Sequence, residues 1–306
     1  MDIPGLFTQL QAAAREDALP PATLAQWRRQ FRVGEDSFAS AVVAGTRGGQ
    51  LAFVFAGAYQ SALRRLLPSL APTEFAALLL SEGRYQRPDE LRTTLSPAGD
   101  GSFRLEGEKS YVTGGDAADT LLVVARHGIA ADGRARVVVI VLPAHAPGVV
   151  HVARSDATFL PELPHGRARF ENVPVTQGML LPGDGWTGYA RPFRTIEDIH
   201  VSAAVATHLA VQAMRRKFPA QLLASLLSCL DRLAACARLS PDDPAAHILL
   251  AGAERELQQA SAQVNELTAG EHDDFSRDWR ANHLLVALAA PARGARLEKA
   301  LEKLRG

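Results

Sequence analysis

The chain has 306 residues, 47% of them hydrophobic and 22% charged, which suits about one to three compact units and excludes a disordered polymer. Lys plus Arg and Asp plus Glu both number 33, so no net charge draws the molecule to nucleic acid or to an anionic membrane. The opening Met1-Asp2-Ile3-Pro4-Gly5 shows no leader pattern, and charge interrupts every apolar run before about eighteen residues. A cytoplasmic protein without a membrane span or a nucleic-acid partner is expected.

The first zone, taken as residues 1–75, reads as helical. Leu6, Leu10 and Ala13 recur at helical spacing, and Ala22 to Arg29 opens another amphipathic turn after Pro20-Pro21. Residues 51–67 are apolar on nearly all sides, as in a helix buried between layers, and Arg64-Arg65 suits its C-terminus. From 76 to 176 the period changes. Short β-rich runs begin at Leu78, Thr93, Phe103, Thr120, Val137, Val149 and Ala168, separated by Gly, Pro and Asp turns. They predict a compact antiparallel barrel or sandwich, with Asp100-Gly101 as a tight turn.

Residues 177–306 return to helical spacing. Helices are expected over 195–216, 220–238 and 245–267, with a fourth over 275–304 interrupted at Pro291 and Gly294. Short connections between them suggest a four-helix bundle. Cys229 and Cys236 fall on one helix face about 10 Å apart along the axis, too far for a disulfide. They read as buried thiols, which fits a reducing compartment. His200 and His208 could share a face of the first bundle helix, most simply as core groups with satisfied hydrogen bonds. No Cys/His spacing of a metal site occurs, and no metal is proposed.

One segment is more specific. Leu105-x-Gly107-x-Lys109-x-Tyr111-Val112-Thr113-Gly114-Gly115-x-x-Ala118-Asp119 resembles the "L-x-G-x-K-x-[YW]-I-T-N-G-x-x-A-D" strand of the acyl-CoA dehydrogenase family. Phe170-Glu171-Asn172-Val173-Pro174-Val175, with Leu180-Leu181 and Gly183-Asp184-Gly185-Trp186 beyond it, is similar to a second family segment. Glu197 with Ala203-Ala204 and Ala206 is similar to the start of its first long bundle helix. The resemblance covers roughly residues 81–209. It implies a mixed α and β fold of N-terminal helices, a central β-domain and a C-terminal helical bundle, and it implies FAD as cofactor.

By that resemblance Tyr111, Val112 and Thr113 lie against the flavin ring, where a backbone N–H and a hydroxyl can favour negative charge. Ser81 opens the segment that approaches the cofactor's pyrophosphate. The bland alternative has Tyr111 packed in the core and Thr113 starting a Gly-Gly turn. Most of the family takes its catalytic base from a late glutamate after an "R-D" pair. Here Arg277-Asp278 fits the pair, but Val286 stands about where the acid would be. A smaller branch takes its base from the first bundle helix, at the position of Glu197. Asp198 follows it, where the family has an arginine, and helix capping by the acidic pair is the alternative.

Other positions depart from the family. Ser81-Glu82-Gly83-Arg84-Tyr85-Gln86-Arg87 keeps the acid of the pyrophosphate loop but lacks its Gly-Ser; Arg84 or Arg87 could pair with phosphate instead, and a merely exposed arginine is the simpler reading. Arg215-Arg216-Lys217-Phe218-Pro219 keeps only part of the adenine-contacting "R-x-F-G". Two functions follow. One is a divergent FAD-dependent oxidoreductase acting on an acyl-CoA, an acyl-carrier thioester or a related carbonyl compound, with a flavin monooxygenase as a variant. The other is a degenerate homologue serving as a binding subunit. Either would assemble as a homo-oligomer or with a paralogue.

Overall fold

A computed structural model describes residues 3–15, 20–83, 87–129, 133–153 and 159–305. The chain divides into two compact units, one from Met1–Pro68 with Arg194–Gly306 and the other from Ser69–Phe193. The helical stretches at the two ends of the sequence thus belong to the same unit.

That unit starts with α1 (Ile3–Arg15), α2 (Leu24–Gln30), α3 (Ser37–Arg47) and α4 (Leu51–Leu66). Thr23 caps α2 by accepting from the Gln26 N–H, and Asp36 caps α3 through the Ala39 N–H. In α4 Phe53, Val54, Ala58 and Leu63 are fully buried, as its all-round apolar pattern demands. Arg64, at its end, is buried too and donates to the Gln60 side chain at 2.7 Å. No local periodicity sets α3 apart within the helical first zone. Its Ser, Val, Gly and Thr are weak helix formers, and its small residues serve close packing instead. A Cβ at Gly45 would lie 2.3 Å from the Ala204 carbonyl oxygen, so only glycine lets α3 approach α5.

α5 (Arg191–Arg215) follows a single π-helical turn at Trp186–Ala190, and α6 (Ala220–Arg238) and α7 (Pro244–Leu267) pair beside each other. Cys229 and Cys236 are free, buried thiols whose Sγ atoms point at the Ala253 and Ala246 carbonyls of α7. α6 is long and apolar enough to cross a membrane by length and mean hydropathy, the one such helix among the described residues. Its Leu222, Leu226, Leu230 and Leu233 are buried, and Asp231-Arg232 sit on it. The fourth bundle segment breaks earlier than expected. α8 (Asp274–Asn282) ends in a 3₁₀ turn over His283–Val286, and α9 (Ala290–Arg305) begins just before Pro291. Proline lacks an N–H and crowds the carbonyl four residues back, so the break falls upstream of it, not at it. Gly294 lies inside α9.

The other unit is one connected seven-stranded sheet: β1 (Ala76–Leu79), β2 (Thr94–Pro97), β3 (Phe103–Thr113), β4 (Thr120–Ile129), β5 (Ala135–Pro143), β6 (Val149–Ala153) and β7 (His165–Val175). Its pairing is not wholly antiparallel. β1 and β2 both run parallel to β4, aligned on its first and last parts, while β5 takes the opposite edge of β4. That explains the continuous burial of Leu121 to Ala125, which has neighbours on both edges. The β2–β3 turn carries Gly99 and Gly101, both at positive φ.

Gly45→Ala tests the packing of α3. In an exposed helix the change would stabilise by about 1 kcal/mol. Here overpacking should reverse the sign and cost about 2 kcal/mol, read as a lower urea midpoint at unchanged m.

Candidate active site

At the end of β3, Lys109 pairs with Ala168 and Val112 with Gly166, so Ser110 and Tyr111 together oppose one residue of β7. The extra residue makes a bulge, which re-aims side chains. Ser110 turns its N–H and its hydroxyl to the Ser81 carbonyl at 2.8 and 3.0 Å, joining Ser81 to the strand. Tyr111 is turned outward and is 37% exposed, its ring 5.1 Å from that of His165 and tilted by 32°. It is therefore not a core residue. Val112 is fully buried and Thr113 nearly so. Gly114, at φ 89°, then turns the chain where a Cβ would strike the Phe75 ring at 2.1 Å. The Asp119 carboxylate accepts from the Phe75 N–H at 2.8 Å, which gives the "A-D" of the motif a structural role.

Lys109 and Glu82 form a buried ion pair that the sequence did not announce. Lys109 also donates to the Leu80 carbonyl at 3.3 Å, and Glu82 accepts the backbone N–H groups of Arg92 and Thr93. Although burial works against it, the Lys109 charge with these hydrogen bonds holds Glu82 below the usual carboxylate range. Burial draws Lys109 down to about 8, against the pull of Glu82. The pair ties the segment carrying Ser81 to the strand carrying Tyr111. Arg84, Tyr85 and Gln86 lie outside the described residues, and Arg87 is exposed. An open depression of about 810 Å³ lies alongside, lined by Glu82, Arg92, Glu106, Glu108 and Arg169 among others, and it includes neither Tyr111 nor Thr113.

In the helical unit, Glu197 and Asp198 lie two turns into α5, too far from its start to cap it. Asp198 is buried and takes hydrogen bonds from Arg293, at 3.3 Å, and Arg296, both on α9. Arg293 also lies 2.7 Å from the carboxylate of Glu254 on α7 and donates to the Val286 carbonyl at 2.7 Å. One arginine therefore gathers the late-acid position, Val286, and the neighbour of the early one, Asp198. Glu197 is half-buried beside them. Burial, with the Asp198 charge next to it, pushes the Glu197 carboxyl up to about 8, against Arg194 and Arg296. Burial likewise lifts Glu254 to about 8. Sequence reasoning found Glu197 but missed Glu254, Arg293 and Arg296, whose meeting depends on how α7 and α9 pack.

The remaining motif residues serve the fold. Asp278 of the "R-D" pair accepts the Leu51 N–H at 2.7 Å and so caps α4, whose own N-cap, Gln50, makes no such bond. Arg215 donates to the Ala13 carbonyl at 2.7 Å, and Arg216 makes a two-pronged pair with Asp273 under the Phe275 ring. His200 is buried between the Ile196 carbonyl at 2.7 Å and the Ser37 hydroxyl at 3.0 Å, and burial lowers it to about 4, keeping it neutral.

Residues 86–173 match the sequence profile of the acyl-CoA dehydrogenase middle domain. The probable acyl-CoA dehydrogenase FadE10 of Mycobacterium bovis and of Mycobacterium tuberculosis is 31% identical over 155 residues, which is 50% of this chain and 24% of the relative. The match thus spans about a quarter of the length of those curated relatives. Butyryl-CoA dehydrogenase from Megasphaera elsdenii superposes with a TM-score of 0.75 at 14% identity, covering 98% of each chain. A glutaryl-CoA dehydrogenase from Mycobacterium smegmatis, solved in complex with FADH2, gives 0.64 at 13% identity, covering 98% of this chain and 95% of that one. At such identities the likeness is one of fold.

Lys109→Met should cost about 3–5 kcal/mol by stranding the Glu82 charge, and adding Glu82→Gln should return most of that loss in a denaturant-melt cycle. The glutamates predict a pH dependence. Glu197 and Glu254 keep protons up to about 8 that the unfolded chain releases near 4.5. Stability attached to them falls as pH rises through that interval. Below 6.5 the buried His200 and His208, both lowered to about 4, act in the opposite sense. From pH 6.5 to 8 the glutamates should dominate, so the urea midpoint falls with pH and Glu254→Gln flattens the decline.

Proposed function

We propose, for a chain that belongs to the acyl-CoA dehydrogenase family, a divergent flavin-dependent oxidoreductase acting on an acyl thioester or a related carbonyl compound. The observation that carries the reading is the bulge at Ser110-Tyr111, which presents a braced aromatic face next to Thr113. A planar ring fits such a wall. Tyr111, Val112 and Thr113 would hold the isoalloxazine of FAD, with Ser81 alongside, fixed to the strand by Ser110. FADH2 in the glutaryl-CoA dehydrogenase complex supports the choice of flavin. When bound, FAD supplies a two-electron acceptor for a hydride leaving the carbon β to the carbonyl.

Glu197 is the proposed base for the α-proton. Its carboxyl, lifted by burial to about 8, is a stronger base than an exposed glutamate. Val286 cannot take that role. A cytoplasmic, oligomeric protein is part of the proposal, assembled from copies of itself or with a paralogue, and needing neither nucleic acid nor a membrane span. The second reading, a degenerate homologue that binds a thioester or a partner without turnover, is favoured by Arg215 and Arg216. Both guanidiniums donate within the helical unit at the segment where the family contacts adenine.

The purified protein should show a flavin spectrum or take up FAD, and Tyr111→Ala should weaken uptake. Turnover of an acyl-CoA panel should rise with pH toward a plateau above about 8, because the carboxylate is the active form. Glu197→Gln should keep the flavin and lower kcat by about 10²–10⁴. A colourless protein that stays apo with added FAD overturns the enzyme reading.

A further inference from the structure

The start of β7 lies directly beside the end of β3. His165 is the register partner of Thr113, and Gly166 that of Val112. Directly opposed residues on neighbouring strands point to the same face of a sheet, so His165 shares the face of Thr113. Tyr111 reaches the same imidazole from the bulge, with the ring centroids 5.1 Å apart and the planes tilted by 32°. Burial of the pair is unequal. His165 is 6% exposed and Tyr111 37%, so the imidazole is the inner ring and the phenol the outer one. The backbone around His165 is fixed on both sides. The Gly114 N–H donates to the Pro164 carbonyl at 2.8 Å, and Gly166 pairs with Val112 on one edge and Ala153 of β6 on the other. A Cβ at Gly166 would lie 3.2 Å from the Val152 carbonyl oxygen and 3.4 Å from the Gly115 Cα, so glycine permits this close approach.

We propose that His165 is a positioning residue whose ring sets the orientation of the Tyr111 ring in advance of cofactor binding. The proposal rests on the reading of Tyr111 and Thr113 as the wall that holds FAD. Ordering an exposed aromatic side chain when a ligand binds lowers affinity, and a ring already held against a neighbour avoids that loss. The imidazole supplies the hold, because a tilted aromatic pair at this separation is favourable beyond the area it buries. Filling space is a poorer account of His165. An aliphatic side chain at the head of β7 would pack the same volume without burying ring nitrogens. What it would lack is a flat face for Tyr111.

The test uses the full chain, with and without FAD. In apo protein carrying ring-labelled tyrosine, the Tyr111 NMR signals are assigned with Tyr111→Phe. They should move toward ordinary exposed-tyrosine positions in His165→Leu, which keeps the bulk but not the ring, and move less in His165→Phe. The reciprocal change spares the interior: Tyr111→Leu should shift the His165 ring signals more than Tyr111→Phe does, even if His165→Leu fails to fold. FAD affinity, read by quenching of flavin fluorescence, should fall about two- to tenfold in His165→Leu and recover in His165→Phe. In a Tyr111→Ala background, His165→Leu should have no further effect on affinity. A residue that only supports the fold would weaken FAD by the same factor with or without the Tyr111 ring, and a second ring would not repair the loss. That result, or ring signals that ignore the changes across the pair, overturns the proposal. A chain that never takes up FAD sinks the flavin reading, while the ring signals of the apo protein still uphold or overturn the hold of His165 on Tyr111.

Discussion

Placing the Asp198 and Glu254 carboxyls inside a helical bundle strips them of water, which lifts Glu254 to about 8 and costs several kcal/mol for a charge on Asp198 unless opposite charges accompany it. The chain meets that constraint with one side chain more than any other. Arg293 reaches the Asp198 carboxylate, the Glu254 carboxylate and the Val286 carbonyl at once. A guanidinium suits the task because it stays charged and offers several donors in a fixed plane. Its helix, α9, has a mostly exposed surface and docks chiefly by these polar links. The placement of the C-terminal helix is therefore an electrostatic matter, where α4 and α6 are placed by burial of leucine, phenylalanine and alanine.

The β-unit solves a similar problem at smaller scale. Lys109 is fully enclosed, and Glu82 is the charge that makes this tolerable. Because Glu82 also accepts the Arg92 and Thr93 backbone N–H groups, it holds the start of the approach to β2 as well as neutralising the lysine. The next residue of β3 then bonds to Ser81 and bulges, and Tyr111 emerges from the sheet. Ion pair, bulge and exposed ring are consecutive features of a few residues, so the motif reads as one mechanical unit. Gly114 completes it by turning the chain where any side chain would meet Phe75.

What was legible in the sequence follows from the range of each interaction. The seven described strands were announced by short apolar or β-branched runs and turn residues, because alternation and turn chemistry act within a few positions. The parallel pairing of β1 and β2 with β4 was not, since nothing in Ala76 to Leu79 states which edge it joins. α3 was missed because its small residues are chosen for a neighbour more than 150 positions away, at Ala204 and Thr207. Glu197 could be singled out only through a family pattern. Its environment depends on Arg296 and Glu254, and no local spacing connects those three.

The same distinction bears on what the departures from the family mean. Replacing an arginine by Asp198 looks, in sequence, like the loss of a positive charge beside the candidate base. In the structure two positive charges return from α9, both hydrogen-bonded to Asp198 itself. Val286 looks like the loss of the late acid, yet its carbonyl binds the arginine that also grips Asp198. The two changes therefore meet in one arrangement and need not be independent losses. A cluster that buries the Glu197 carboxyl beside a like charge that works against its ionisation costs stability. Such a cost suits the proposed role of Glu197 as base, because a chain serving only as scaffold would be more stable with an apolar residue there.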